Sequence, residues 1–481
     1  MPSRITDPQK DFPQWYQDVV YEADLAEHAP VKGCMIIKPY GYAIWERMRD
    51  FLDREIKRLG VQNVYFPLFI PERFLTKESE HVEGFAPEVA WVTHGGGKEL
   101  EEKYAVRPTS ETIMYDAFSR WVQSYRDLPL KINQWANVVR WEMRPRLFLR
   151  TLEFLWQEGH TAHATREEAE IMVAQALRAY QALSEEVLSI AVVPGRKSDA
   201  EKFAGADYTT TIEGLMRDGK ALQMGTSHHL GQNFAKAFDI TFLNAQGEKS
   251  LVWQTSWGVS TRMIGGLVMA HGDTKGLVLP PRIAPTQVVI VPIGKTEEEM
   301  RAVASVLDRD IIPVLAKLTL WDEPVRYYCD DRRQQTPGWK YNHWEVKGVP
   351  LRIEIGPKDV AQQAVMIARR DTGEKSPQPL LSLAHLVPSL LNDIQAQLLT
   401  SHRAFTDAHT HQSRTMDEFL SLLQSNGGFI RAPWCGNLAC EKEVKARTKA
   451  TIRLVGDSVA ESSCLICRKP ATLTPYFAVA Y

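Results

Sequence analysis

A segment rich in proline and glycine, residues 276–285, divides this chain, and it limits the possible folds more than any other feature. Before it, apolar spacing predicts a helix over about 42–59, and a short apolar strand follows at 61–66. Beyond it, strand patterns at 287–292, 325–329 and 350–355 alternate with helical patterns at about 296–317 and 338–346. The pattern predicts at least two separate units, each combining helices and sheet. A largely helical stretch is expected from about 380 to 425.

Length and charge narrow the possible classes of protein. The 481 residues suffice for roughly three domains, and 44% apolar with 24% charged residues is typical of globular chains. The formal charge of −2 excludes a strongly basic nucleic-acid-binding protein but permits a local basic patch. No apolar run approaches the roughly 18 residues of a membrane span, and the first ten residues do not resemble a signal peptide. We therefore expect a cytoplasmic protein without a membrane partner.

Four of the six cysteines fall within the last 50 residues, in two closely spaced pairs: Cys435 with Cys440, and Cys464 with Cys467. Two such pairs can complete a zinc tetrahedron, and a reducing compartment favours metal over disulfides. Because four thiolates leave no open coordination position, the predicted zinc would be structural. The alternative is four thiols in a small core.

Three separated segments carry the residue types that ATP-dependent activation requires. They are 60–67, then 139–142 leading through a basic turn to 150–154, and last 258–265 at a strand-to-helix junction. The chain has no intact phosphate-binding loop, since Val289 stands where its first glycine should be before Gly294 and Lys295. In their order the three segments resemble motifs 1, 2 and 3 of the class II aminoacyl-tRNA synthetases.

This resemblance implies roles that single residues would not justify, because an isolated arginine or phenylalanine of this kind is more often structural. Arg140 would bind the α-phosphate and the amino-acid carboxylate, and Arg262 the γ-phosphate, so both are catalytic candidates. Arg150 would assist Arg262, Phe154 would stack on adenine, and Glu142 would accept from the adenine amine. Mg²⁺ is expected to accompany ATP.

Further segments narrow the identity of the substrate amino acid. Thr109 and Glu111 resemble a Thr-x-Glu loop that receives the substrate ammonium. Segments 156–163, 202–206 and 225–234 resemble the prolyl-tRNA synthetases, and this similarity runs along nearly the whole chain. The resemblance implies a proline pocket of Thr109, Glu111, Arg140, Trp156, Glu158, His160, Phe203 and Ser256. It implies an ATP site of Arg140, Glu142, Arg150, Phe154, Gln223, Thr226, His228, Gly258 and Arg262.

The unit at about 286–395 resembles the anticodon-binding domain of several class II synthetases. Arginine and lysine pair with guanine edges, and a carboxylate accepts from an exocyclic amine. Proline anticodons contain two guanines, so Glu345, Arg352 and Lys358 are the base-recognition candidates. A solvated basic face is the alternative for any one of them.

The resulting prediction is an α+β chain of three domains. They are a class II catalytic domain at 1–280 with an antiparallel sheet flanked by helices, an α/β anticodon-binding domain at 286–395, and a small α+β zinc-containing domain at 396–481. The resemblance implies a homodimer that activates L-proline with ATP and transfers it to tRNA(Pro). Two alternatives stay open: a related synthetase for threonine or serine, and an inactive synthetase-like RNA-binding protein.

Three details qualify the resemblance. The large editing insertion of bacterial-type prolyl enzymes is expected to be absent, since Phe154 and Gly258 are only about 100 residues apart. Arg468 stands where the family usually has glycine. The aromatic ending at Tyr481 resembles a family feature in which the chain folds back toward the catalytic domain.

Overall fold

The computed structural model describes residues 5–81, 89–141, 144–425, 427–458 and 462–481. The strands of the first unit are β1 Ala26–His28, β2 Met35–Ile37, β3 Gln62–Asn63, β4 Phe69–Pro71, β5 Trp91–Gly95, β6 Lys98–Val106, β7 Leu130–Val139, β8 Glu153–His163, β9 Val192–Arg196, β10 Tyr208–Leu215, β11 Ala221–Gly231, β12 Thr241–Leu243, β13 Lys249–Leu251 and β14 Trp253–Ser260. Its helices are α1 Phe12–Glu22, α2 Pro39–Arg58, α3 Glu72–His81, α4 Glu111–Trp121, α5 Arg166–Ala182, α6 Asn233–Phe238 and α7 Arg262–His271.

A seven-stranded sheet organises this unit, in the order β3-β7-β8-β14-β11-β10-β9. All neighbouring strands are antiparallel except β3 and β7, so the predicted antiparallel sheet flanked by helices is confirmed. Helices α1, α2, α5 and α7 bury their apolar faces in one core with this sheet. The strand expected over 61–66 is shorter than predicted. Phe66 donates its N–H to the Gln134 side chain, and Pro67 has no N–H to donate.

The pairing of β8 with β14 depends on a close approach that only glycine permits. A Cβ at Gly159 would lie 2.2 Å from the indole ring of Trp257. Tyr180 of α5 lies against Trp257 and donates its hydroxyl to Gln157, which fixes the helix on the back of the sheet. The strands are thereby held so that their other face can form a cavity.

Thr165 is the N-cap of helix α5, and its side chain accepts the N–H of Glu168. The Glu168 carboxylate accepts from the backbone N–H of Ala164, one residue before the cap. These two hydrogen bonds fix the start of the helix.

The second unit has a five-stranded sheet. Its elements are β15 Val288–Pro292, α8 Glu297–Val306, α9 Ile312–Leu315, β16 Thr319–Leu320, β17 Glu323–Pro324, β18 Tyr327–Cys329, α10 Pro337–Val346, β19 Leu351–Ile355, α11 Pro357–Ala361, β20 Ala364–Arg369, β21 Lys375–Pro379 and α12 Leu383–Ala408. The order is β18-β15-β19-β20-β21, with the first three strands parallel and the last two antiparallel. The helix expected over 296–317 is interrupted by a π-helical turn, Leu307–Ile311, just before Pro313.

The third unit packs two helices on a four-stranded sheet. Its elements are β22 Thr410–Gln412, α13 Met416–Ser425, β23 Phe429–Arg431, α14 Leu438–Thr448, β24 Thr451–Ser458 and β25 Leu473–Ala478. The sheet order is β22-β23-β25-β24. Helix α12 runs without interruption across the expected boundary at residue 395. The exact division into domains stays a prediction.

The chain returns to the first unit at its last residues. Ala221 donates its N–H to the carbonyl of Val479, and the Tyr481 hydroxyl donates to Asp218 at 2.6 Å. Among the residues described, no helix has the length and apolar character needed to cross a lipid bilayer.

Candidate active site

A cavity of about 310 Å³ opens on the face of the seven-stranded sheet opposite α5. Nearly all the residues predicted for the proline and ATP sites line it. They are Thr109, Glu111, Arg140, Phe154, Trp156, Glu158, His160, Phe203, Gln223, Thr226, His228, Ser256, Gly258 and Arg262. Positions spread over more than 150 residues of sequence therefore meet in one place.

Strand geometry explains why they converge. Side chains two residues apart on a strand share a face, so Trp156, Glu158 and His160 of β8 point the same way. Ser256 of β14 lies opposite both His160 and His228 across the ladder. Gly258 likewise lies opposite Glu158 on one neighbour and Thr226 on the other. Its missing side chain leaves the floor of the cavity open.

A buried polar network holds the deep end of the cavity. Glu158 accepts from the Ser110 hydroxyl at 2.6 Å and from Gln134 Nε2 at 2.9 Å. Its second oxygen lies 3.0 Å from His160 Nε2. Thr109 donates to the carboxylate of Glu111, which begins α4 and so lies at the favourable end of that helix dipole. Both carboxylates are therefore fixed in place before any ligand arrives.

Two histidines of the cavity have pKa values shifted in opposite directions. Burial disfavours the imidazolium of His160, but its hydrogen bond with Glu158 and the nearby Glu111 carboxylate outweigh this and raise its pKa above the ordinary value. Burial and the neighbouring charges of His160 and Lys197 lower the pKa of His228 to about 3. At neutral pH His228 is therefore uncharged, and its Nδ1 lies 2.9 Å from the Thr209 hydroxyl.

Three buried polar atoms of cavity residues have no hydrogen-bond partner among the described residues. They are the indole Nε1 atoms of Trp156 and Trp257 and the hydroxyl of Ser256. An unpaired buried donor is costly, so such groups in a native structure need an explanation. A polar ligand in the cavity would supply the missing partners.

The two arginines stand at the open end. Arg140 donates its Nε to the carbonyl of Pro108 at 3.0 Å, and its guanidinium lies over the rings of Phe154 and Trp156 at 5.4 and 5.3 Å. Arg262 is the first residue of α7 and donates its Nε to the carbonyl of Leu149 at 3.1 Å. Each guanidinium is thus oriented by a backbone carbonyl while it lines the cavity.

Two predicted ATP-site residues stand apart from this set. Glu142 lies outside the described residues. Arg150 does not line the cavity and is exposed, and its backbone pairs with Arg146 across a tight turn. The assignment of both residues to the ATP site stays a prediction.

The cavity also contains residues that the sequence did not single out. Glu201, Lys202 and Thr209 line it beside Phe203, whose N–H donates to the Thr209 hydroxyl at 2.9 Å. The family-like segment 202–206 was the signal that could have found them, since it places Lys202 next to the predicted Phe203.

A smaller cavity of about 80 Å³ lies in the second unit. Glu345 and Arg352 line it together with Lys275, Arg369, Arg370 and Lys375. The charges are already paired. Lys275 binds Glu345 at 3.0 Å, and Arg352 binds Glu354 at 3.0 Å while stacking on Tyr341. Lys358 lies on α11 and does not line this cavity.

The four clustered cysteines form a compact group. Their sulfur atoms all lie within 4.8 Å of one another, with Cys435 3.7 Å from Cys440 and 3.6 Å from Cys467. Zinc–thiolate bonds of about 2.3 Å place neighbouring sulfurs of a regular tetrahedron about 3.8 Å apart. The donor set and its spacing therefore fit a zinc ion. Arg468 follows with a backbone φ of +61°, the left-handed conformation that favours glycine.

Comparisons with known proteins agree with this geometry. Residues 91–271 match the family model described as "tRNA synthetase class II core domain (G, H, P, S and T)", residues 287–390 match "Anticodon binding domain", and residues 416–481 match "Prolyl-tRNA synthetase, C-terminal". The proline–tRNA ligase of Natranaerobius thermophilus is 52% identical over 466 residues, which cover 96% of this chain and 94% of that protein. The chain belongs to the prolyl-tRNA synthetase family.

Other members of the prolyl-tRNA synthetase family extend the match. Proline–tRNA ligase 2 of Clostridioides difficile is 51% identical over 479 residues, covering 99% of this chain and 98% of that protein. A crystal structure of prolyl-tRNA synthetase from Cryptosporidium parvum, complexed with halofuginone and AMPPNP, superposes with a TM-score of 0.93. It is 42% identical, and the match covers 100% of this chain and 99% of that one. The predicted combination of a class II core, an anticodon-binding domain and a C-terminal prolyl-type domain is confirmed.

Proposed function

We propose that this chain is a proline–tRNA ligase. It activates L-proline with ATP to give prolyl-adenylate and diphosphate, and then transfers the prolyl group to tRNA(Pro) with release of AMP. The observation that carries the proposal is the single cavity in which Thr109 and Glu111 face Arg140 and Arg262. It offers a carboxylate for an ammonium group and guanidinium groups for phosphates and a carboxylate.

The deep end of the cavity suits proline. Glu111, with Thr109, receives the secondary ammonium, and the aromatic surfaces of Trp156 and Phe203 enclose the apolar ring. Glu158 and His160 support this end through their mutual hydrogen bond. The unpaired Ser256 hydroxyl and Trp156 indole are further hydrogen-bonding groups for the bound amino acid or adenylate.

The open end suits ATP. Phe154 stacks on adenine, Arg140 bridges the α-phosphate and the proline carboxylate, and Arg262 binds the γ-phosphate. Gln223, Thr226 and His228 face the ribose and phosphates beside Gly258. Glu142 and Arg150 belong to this site only by resemblance. Mg²⁺ enters with ATP as the counter-ion of its phosphates.

The chemistry requires little proton transfer. A proline carboxylate is ionised at neutral pH and attacks the α-phosphorus directly, displacing diphosphate. The enzyme therefore contributes mainly by placing the two anions together and by stabilising the charge that develops on the phosphate. The guanidinium groups of Arg140 and Arg262 supply that stabilisation.

The second unit would bind the anticodon. Arg352 and Glu345 are the proposed base contacts, supported by their shared cavity, and Lys358 on a separate surface is proposed as a phosphate contact. The four cysteines would hold a structural Zn²⁺ through four thiolates. Before metal binding, the backbone N–H of Lys469 lowers the pKa of Cys467 to about 7, which favours a thiolate at this ligand.

We further propose a homodimer that works in the cytoplasm, where aminoacyl-tRNA is used. The region of motif 1 supports the dimer, because the aromatic rings of Tyr65 in this motif and of Phe69 just beyond it are 74% and 46% exposed on the first unit. Such rings are typical of a surface that a second copy covers.

Aminoacylation tests the proposal. The purified full-length chain should charge tRNA(Pro) with proline when ATP and Mg²⁺ are present, and it should not charge it with threonine or serine. A chain that binds tRNA(Pro) but forms no prolyl-tRNA would be the inactive RNA-binding alternative.

A further inference from the structure

The wall of the active-site cavity at Glu201, Lys202 and Phe203 belongs to a loop that leaves β9 at Lys197. Strand β9 is the edge of the seven-stranded sheet, so only β10 supports it from within the sheet. On its other side the loop meets the third unit. Several contacts between the loop region and the third unit are short hydrogen bonds or ion pairs between buried residues.

The first of these contacts is a buried ion group. Glu213 of β10 is fully buried and binds Lys197 Nζ at 2.7 Å on one side. On the other side it receives the guanidinium of Arg453 from β24, with nitrogen–oxygen distances of 3.0 and 3.1 Å. Removing one member of such a group would leave a buried charge unpaired, which is costly. The third unit is thereby fixed against the start of the loop.

The loop itself is held by helix α14. The Ser198 hydroxyl donates to the Glu441 carboxylate at 2.6 Å, and both residues are buried. One turn further along the same helix, Lys445 lies 3.2 Å from Glu201. Helix α14 also carries Cys440 of the cysteine cluster. On the side away from the cavity, the loop is therefore bound to α14, the helix that carries Cys440 of the cysteine cluster.

On its inner side the same loop contacts the substrate cavity. Phe203 donates its N–H to the Thr209 hydroxyl, which lies 2.9 Å from His228 Nδ1. The Phe203 and His228 rings lie 4.7 Å apart. Between Ser198, which binds the third unit, and Phe203, which faces the substrate, only four residues intervene. A shift at Ser198 would therefore reach the cavity wall.

We propose that the third unit positions the substrate pocket, with Ser198 and Glu441 as the positioning residues that hold the 197–203 wall. The inference rests on the proposed function, because that wall is taken to enclose proline. It gives the C-terminal prolyl-type domain a role in amino-acid binding that needs no contact with substrate or tRNA. Neither positioning residue lines the cavity.

The test uses the full-length chain with Ser198→Ala, Glu441→Ala and Glu441→Gln. Hydrogen–deuterium exchange of the peptide covering 197–207 is followed by mass spectrometry, and proline-dependent ATP–diphosphate exchange gives KM and kcat. Ser198→Ala and Glu441→Ala should speed exchange in that peptide. They should raise the KM for proline about 2- to 10-fold with kcat nearly unchanged, the range expected for one lost hydrogen bond.

Two comparisons separate positioning from general damage. Glu441→Gln keeps an acceptor oxygen for Ser198 and should stay close to wild type in both measurements. Glu443→Ala, at an exposed position of the same helix, should leave both unchanged. The proposal is overturned if Ser198→Ala leaves the exchange of 197–207 and the KM for proline at wild-type values. It is also overturned if Glu441→Ala speeds deuterium exchange in α14 but not in the peptide covering 197–207.

The two proposals fail in different ways. A wild-type chain without proline-dependent diphosphate exchange would contradict the proposed function, whereas the deuterium exchange of 197–207 still reports on the contact. A fully active wild type whose Ser198→Ala variant is unchanged would contradict only the positioning role.

Discussion

The catalytic cavity and the smaller cavity of the second unit differ in how their polar groups are satisfied. In the first, the Trp156 indole and the Ser256 hydroxyl are buried without a partner among the described residues. In the second, Lys275 is paired with Glu345 and Arg352 with Glu354. The first is preorganised for a ligand, whereas in the second the proposed contacts with RNA would have to replace existing ion pairs.

This difference predicts different sensitivities. Substitution in the catalytic cavity removes a partner from a buried ligand, and the loss cannot be made up by water. Substitution in the second cavity changes partly exposed pairs, whose individual contribution is small until a base replaces one partner. We therefore expect large effects on proline activation from the first site and moderate effects on tRNA charging from the second.

The largest effect should follow Glu111→Gln. The amide keeps the shape and an acceptor for Thr109 but removes the charge opposite the proline ammonium, which is left buried without a counter-ion. We expect kcat/KM for proline in ATP–diphosphate exchange to fall by about 10²- to 10³-fold. Glu167→Gln, at an exposed position of α5, is the matched control and should have wild-type kinetics. A Glu111→Gln enzyme within threefold of wild type would remove Glu111 from the ammonium site.

A moderate effect should follow Arg352→Ala. If this guanidinium contacts a guanine edge, charging of tRNA(Pro) should fall by about 5- to 150-fold, while tRNA-independent diphosphate exchange stays unchanged. Arg309→Ala removes an exposed arginine of the same unit and should change neither reaction. Equal losses in charging and in exchange would contradict the assignment of Arg352 to tRNA.

Arg468→Gly should give a small gain in zinc affinity. This position differs from both cavities because its strain is in the backbone. Glycine adopts a φ of +61° without the steric cost that a Cβ brings. Zinc affinity should rise about 2- to 5-fold, measured by competition with a chromophoric chelator. Arg468→Ala, which keeps the Cβ, is the control. If alanine improves affinity as much as glycine does, the side chain rather than the backbone is responsible.

The smallest expected effect is none at all. Residues 154–258 are all described, and the elements among them are strands of the main sheet, a short hairpin, α5 and α6, so this stretch contains no separate editing domain. Since a proline pocket cannot strongly exclude the smaller alanine, the enzyme should form some alanyl-adenylate. It should not accelerate the deacylation of preformed Ala-tRNA(Pro), which should proceed at the uncatalysed rate. Rapid deacylation would show that editing occurs elsewhere in the chain.

Much of the candidate site could be predicted because its residues lie in short segments that resemble those of a known family. Trp156, Glu158 and His160 belong to the segment 156–163 and Gly258 to the segment 258–265, and the structure places these four residues on neighbouring strands. The cysteine cluster was equally predictable, since its two pairs lie close together in the sequence. Local spacing carries such information directly.

Other features depend on contacts that no local pattern contains. Ser198 meets Glu441 across 243 residues, and Arg453 meets Glu213 across 240. Lys358 was grouped with Arg352 by charge alone, and the fold separates them on different elements. Arg150 belongs to the predicted motif, but it lies on a turn with Arg146 and does not line the cavity. These outcomes depend on tertiary packing, which a single sequence does not reveal.

The central claim is that the large cavity activates proline, and ATP–diphosphate exchange without tRNA tests it most directly. The wild-type chain should catalyse exchange with proline at a kcat/KM at least about 100-fold above that with threonine or serine, because only proline presents a secondary ammonium and an apolar ring to the site. Exchange that is absent with proline, or faster with threonine or serine, would contradict the account.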